Sequence, residues 1–113
     1  MNPENVRKLE AYGATVVQKS HTPLSTEEAK AIRDAYYTLG QGFKVAVEVT
    51  LIAADKGLVE VGEEVIAIGG TGSGADTAIL VKASTTSDML GPDKAKRLEV
   101  KEIIAMPRKK WWE

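Results

Sequence analysis

Four glycines in the six residues Gly69-Gly70-Thr71-Gly72-Ser73-Gly74 stand directly behind the apolar run Glu64-Val65-Ile66-Ala67-Ile68. An apolar run of this length bounded by glycine is the pattern of a buried, central strand. So many glycines in succession extend neither a helix nor a strand, so the chain has to turn here. Residues 77–82, Thr-Ala-Ile-Leu-Val-Lys, read as a second strand leaving that loop. The glycine segment permits two readings: a turn between adjacent strands, or a concavity of backbone N–H groups suited to a phosphate or carboxylate. Thr71, Ser73 and Thr77 add uncharged hydroxyl donors to the second.

The better-known phosphate loops do not fit. Gly69 and Gly74 have the outer spacing of a Walker A loop, but Ala75-Asp76 follows where Lys-Ser/Thr is required. Gly70-Thr71-Gly72-Ser73-Gly74 is one residue short of the dinucleotide fingerprint, and a strand rather than a helix follows. An ordinary NTPase and a dinucleotide-binding domain are therefore not expected. Asp76, next to the loop, is suited to a ribose hydroxyl, a metal or a turn cap, and its charge disfavours a bare phosphate beside it.

The rest of the chain surrounds this unit with helices. Asn2-Pro3-Glu4 reads as an N-cap, a proline at the first helical position and an acidic first turn, opening a short helix that Gly13 ends. Ala14-Thr15-Val16-Val17 reads as a brief buried strand, and the loop after it holds the only histidine, His21. Ser25-Thr26-Glu27-Glu28 is a capping box, with Ser25 as the cap, for a helix whose apolar face is Ala29, Ile32, Tyr36 and Leu39. Lys30, Arg33 and Asp34 fall on the other side. Residues 43–54 fit two periods. Alternation of Phe43, Val45, Val47, Val49 and Leu51 suits a strand. Phe43, Ala46, Val47, Thr50, Leu51 and Ala54 make a helical face, with Lys44 and Glu48 four apart opposite it and Gly57 as a C-cap. Residues 84–96 lack a core-forming pattern and read as a mobile loop with one helical turn. Residues 98–106 alternate as a last strand.

With 113 residues the chain has room for one modest core, a single α/β domain over 1–107 followed by a basic, aromatic tail at 108–113. Zero cysteines exclude disulfides, thiolate metal sites and cysteine catalysis. A net charge of −1 argues against a nucleic-acid partner. No apolar run reaches the roughly 20 residues of a membrane span, and no leader opens the chain, so a cytoplasmic protein without a membrane partner is expected.

Residues 42–49, 53–59 and 62–78, ending in Gly-Gly-Thr-Gly-Ser-Gly-Ala-Asp-Thr-Ala, resemble the stand-alone pyruvate kinase C-terminal-domain-like proteins, as does Glu102-Ile103-Ile104-Ala105-Met106-Pro107-Arg108. The match is specific over 40–82 and at the end of the chain. The resemblance implies a three-layer α/β sandwich and a helix at 43–56. It also implies a correspondence between Gly72-Ser73-Gly74 and the loop that closes over a sugar phosphate in pyruvate kinase. Some relatives look like flavin mononucleotide binders. The family's first phosphate loop, Thr-x-Ser-Gly, has no early counterpart here, so the fold looks truncated at its N-terminus, and 84–96 looks inserted. The catalytic barrel of pyruvate kinase is absent, and kinase activity is not expected.

The site expected on these grounds is a ligand-binding one without catalytic residues or metal: Thr71, Gly72, Ser73, Gly74, Ala75, Asp76 and Thr77, joined by His21. It would hold a phosphorylated small molecule, a sugar phosphate or flavin mononucleotide. The alternative is an interaction subunit that completes its fold as a homo-oligomer or with a second chain, burying the Trp111-Trp112 tail. Glu60, Glu63 and Glu64 read as solvent-facing carboxylates at a strand entrance.

Overall fold

The computed structural model describes residues 2–110. They form a mixed α/β domain of helices α1 (Pro3–Ala11), α2 (Lys30–Tyr37) and α3 (Gln41–Asp55), strands β1 (Glu64–Gly70), β2 (Ala75–Lys82) and β3 (Glu99–Ala105), and a 3-10 turn at Lys94–Lys96. The strands make an open antiparallel sheet in the order β1-β2-β3.

Helix α3 organises the core. Phe43, Ala46, Val47 and Leu51 are buried with Ile79 and Val81 of β2 and Ala67 of β1. A fully buried side chain of this kind contributes about 1.5–3 kcal/mol, which makes this face the main source of cohesion. The helical period therefore wins over the alternating one at 43–54. The helix stops at a Schellman motif: Gly57, at φ 73°, donates to the Ala54 carbonyl and Leu58 to that of Ala53. Helix α2 packs on α3 through the expected Ile32 and Tyr36, with the Tyr36 and Phe43 rings edge to face at 5.4 Å, and Leu39, just past the helix end, packs on the same core.

Several expectations are corrected. Lys44 and Glu48 do not face solvent: their side chains are 10% and 9% accessible, and Lys44 Nζ lies 2.8 Å from Glu48 Oε1. The bend at 23–29 covers them, because Glu48 Oε2 accepts the Leu24 N–H at 2.9 Å while Arg33 Nη1 donates to the Leu24 carbonyl at 2.7 Å. Arg33 is thus turned inward as well. The cap expected from Ser25 does not form: the N-cap of α2 is Ala29 and no side chain caps the helix, while Thr26 Oγ1 accepts the Ala29 N–H in the turn before it.

Residues 14–17 form no strand, since no neighbouring strand pairs with them and Val17 stays exposed. β1 is an edge strand rather than a central one: helices cover one face of the sheet, and on the other Ile66 and Ile68 are 64% and 58% exposed. Residues 84–96 are packed, not loose. Met89 enters the core, Ser84 Oγ donates to the Lys96 carbonyl at 2.6 Å and Arg97 Nε to that of Gly91 at 2.6 Å. One methionine is enough to anchor a segment that carries no periodic pattern. Helix α1 has its expected extent and Asn2 cap, but buries none of its residues. The Trp111-Trp112 tail lies outside the described residues.

Candidate functional site

The glycine segment is a hairpin turn joining β1 to β2, with Gly70 opposite Ala75 across a bulge. Gly72 and Gly74 take φ of 68° and 84°, conformations that L side chains rarely adopt. Gly72, Ser73, Gly74 and Ala75 are exposed, Thr71 and Asp76 half-buried, and Thr77 buried against α3.

Gly42, Gly69 and Gly70 answer to a different demand, close backbone approach. A Cβ on Gly69 would strike the Gly42 carbonyl and lie 2.8 Å from Ala46 N, both on α3. On Gly42 it would strike Asp76 Oδ1 and Thr77 Oγ1, and on Gly70 the Gly74 carbonyl. The glycines let the first turn of α3 sit directly on the hairpin.

That approach brings the Asp76 carboxylate to the N-terminus of α3, where the helix is electropositive and no side chain caps it. Thr77 Oγ1 donates to Asp76 Oδ1 at 2.7 Å. The Thr77 hydroxyl foremost, then the Thr71 side chain and N–H and the nearby Lys110 charge, hold the Asp76 carboxyl below the usual carboxylate range despite its burial. The hairpin and the helix end thus already face an anion, and it belongs to the protein.

His21 is elsewhere. Its Nε2 lies 2.7 Å from Asp55 Oδ2 at the far end of α3, and its Nδ1 lies 2.9 Å from Ser20 Oγ. Gly42 and Asp55 are thirteen residues apart on one helix, or roughly 20 Å at 1.5 Å per residue. The structure therefore brings Thr71, Asp76 and Thr77 together and leaves His21 out of that group.

Around His21 the chain assembles residues that local sequence gives no reason to join. Asp55 accepts the Thr86 N–H at 2.8 Å and the Thr86 hydroxyl at 2.5 Å, 31 positions away. Burial works to raise the Asp55 carboxyl, but the hydrogen bonds from His21 and Thr86 outweigh it and hold the group below its ordinary value. Beside the cluster lies an open groove of about 480 Å³, lined by Val17, Gln18, Val49, Ile52, Ala53 and Leu58. Of its polar members only His21 was singled out by the sequence. The three glutamates do no comparable work: Glu63 Oε1 accepts the Glu60 N–H at 3.1 Å in a turn.

A lowered native pKa means that Asp55 contributes stability above its unfolded value of about 3.9, and that this contribution fades as pH falls through the native value. Urea midpoints of the protein and of Asp55→Ala are expected to differ at pH 6 and to converge in acid. A difference that grows on acidification would contradict the assignment.

Among the described residues no group of acidic or histidine side chains could hold a metal ion, and no helix is long and apolar enough to cross a membrane. The sheet is open and far from a closed catalytic barrel. No family model matches the chain.

Proposed function

We propose that the chain is a structural interaction subunit that completes its sheet with a second copy of itself along the free edge of β1. The observation that carries this reading is the character of that edge. Residues 65–70 of β1 contain no charge and no proline, the devices that normally protect a free strand, whereas β3 carries Glu99, Lys101 and Glu102. Val49, Ala53 and Val59 line a second groove beside β1, so an added strand would find apolar cover as well as unpaired backbone groups.

Antiparallel pairing of two copies about Ala67 would set Ile66 opposite Ile68 on the open face and Val65 opposite Gly69 on the helix face. Large side chains would meet large ones on the roomy side, and a large one would meet glycine on the crowded side. The only β1 charge, Glu64, would stay at the margin.

Light scattering should give twice the chain mass, with amide exchange at residues 65–70 slowed on association. Ile66→Lys/Ile68→Lys, changes at exposed positions that place lysine opposite lysine, should give a monomer. A monomeric wild type, or a dimer indifferent to both lysines, would overturn the reading.

The glycine hairpin supports a second reading, a small-ligand site. An ionised Asp76 beside Thr71 and Thr77 favours a ligand that brings a hydroxyl there, as a sugar phosphate or flavin mononucleotide does, with its phosphate on the exposed loop N–H groups. Native mass spectrometry of the purified protein tests it. A retained adduct lost in Gly72→Val supports the site, and a clean apo spectrum with flavin mononucleotide or sugar phosphates added removes it.

A further inference from the structure

We propose that Ser20 is a nucleophile toward small apolar esters, activated by His21 and seated at the mouth of the groove at the C-terminal end of α3. The three groups form one chain of hydrogen bonds. Ser20 Oγ lies 2.9 Å from His21 Nδ1, and His21 Nε2 lies 2.7 Å from Asp55 Oδ2. Asp55 is in turn fixed by two bonds from Thr86.

The direction of each bond follows from charge. Asp55 is ionised and accepts only, so the neutral form of the imidazole carries its proton on Nε2. That leaves the Nδ1 lone pair to accept the Ser20 hydroxyl. A nucleophile, a base within hydrogen-bond reach and a carboxylate orienting the base are the arrangement that acyl transfer requires. The ring nitrogens exchange the roles they have in serine proteases, which the chemistry allows because either nitrogen can act as base.

The groove supplies the substrate class. Val17, Val49, Ile52, Ala53 and Leu58 give it an apolar wall, and its volume of about 480 Å³ suits a short acyl chain. Gln18 and Thr22 line the same groove and are of the type that donates to a carbonyl oxygen. In the reaction Ser20 Oγ bonds to the ester carbonyl carbon as its proton passes to Nδ1. The C–O bond to the alcohol breaks, and the alcohol leaves with that proton. Water then attacks the acyl-serine, again through Nδ1, restoring Ser20 and releasing the acid. Asp55 touches no reacting atom and acts as a positioning residue.

The test uses a fluorophosphonate probe with peptide mass spectrometry, and 4-nitrophenyl butyrate as substrate. The expected result is one adduct, on Ser20, together with ester turnover absent from Ser20→Ala. His21→Ala should slow labelling by about 10²- to 10⁴-fold. His21→Gln, which keeps a polar side chain of similar reach, should do the same with the circular dichroism of wild type. Asp55→Asn should slow labelling and shift its pH profile, a change that loosening of the loop alone would not cause. No adduct at Ser20, or labelling unchanged in His21→Gln, would overturn the proposal.

Discussion

Glu48→Ala should cost about 3–5 kcal/mol, because truncating one member of a buried ion pair strands the other. Lys44 would keep its ammonium in a site where its side chain is 10% accessible, and the buried Leu24 N–H would lose its acceptor. At about 1–3 kcal/mol/M in urea the midpoint should fall by roughly 1–5 M, a large share of the about 5–15 kcal/mol that such domains hold in total. The expected loss measures the group left behind, not the worth of the pair. Lys44→Met/Glu48→Gln, which removes the charge and retains a carbonyl for Leu24, should therefore recover most of the stability. A Glu48→Ala midpoint within about 0.3 M of wild type would show that the pair is solvated in solution.

Gly69→Ala should be the most damaging of the single glycine-to-alanine changes in the hairpin apart from Gly70, although Gly69 has no unusual φ. Its new methyl would meet the Gly42 carbonyl and Ala46 N. Both belong to the backbone of α3, so no side-chain rotation relieves the contact, and the helix must lift from the sheet. Overpacking of this kind costs about 1–3 kcal/mol, and Gly69→Val should cost more. Gly72→Ala meets open space and pays only the left-handed conformation, about 1–2 kcal/mol. Thermal midpoints should therefore fall further for Gly69→Ala than for Gly72→Ala, by roughly 4 °C per kcal/mol. The opposite order would mean that the hairpin tip, rather than the helix contact, is what the glycines serve.

These two residues mark how far the sequence could be read. The glycine segment announced a turn between strands, and a turn is there. It did not announce that Gly69 and Gly70 serve packing while Gly72 and Gly74 serve conformation, since a glycine looks the same in either role. Lys44 and Glu48 sit four apart opposite the apolar face of α3, the ordinary pattern of a solvated pair. Their burial depends on the bend at 23–29, which Glu48 and Arg33 hold by the backbone of Leu24. No helical period can register a cover supplied from twenty residues away.

The candidate sites divide in the same way. Thr71, Asp76 and Thr77 are neighbours in sequence and remain so in space, so the hairpin cluster was legible. That Asp76 fills the helix end required α3 to dock there. Ser20 and His21 were adjacent in sequence, but Asp55 and Thr86, 34 and 31 positions away along their respective bonds, join them only through the fold.

What the sequence determined by itself is local. The glycine stop of α3, the α2 face, the Asn2 cap and the β1–β2 hairpin follow from side-chain period and backbone freedom within a few residues, whereas residues 43–54 fitted two periods and burial against the sheet chose the helix. Tertiary structure decided which strand lies at the edge, which charges are buried and which polar groups meet. Those outcomes depend on contacts between distant segments, whose free energy is set by what each surface finds to cover it.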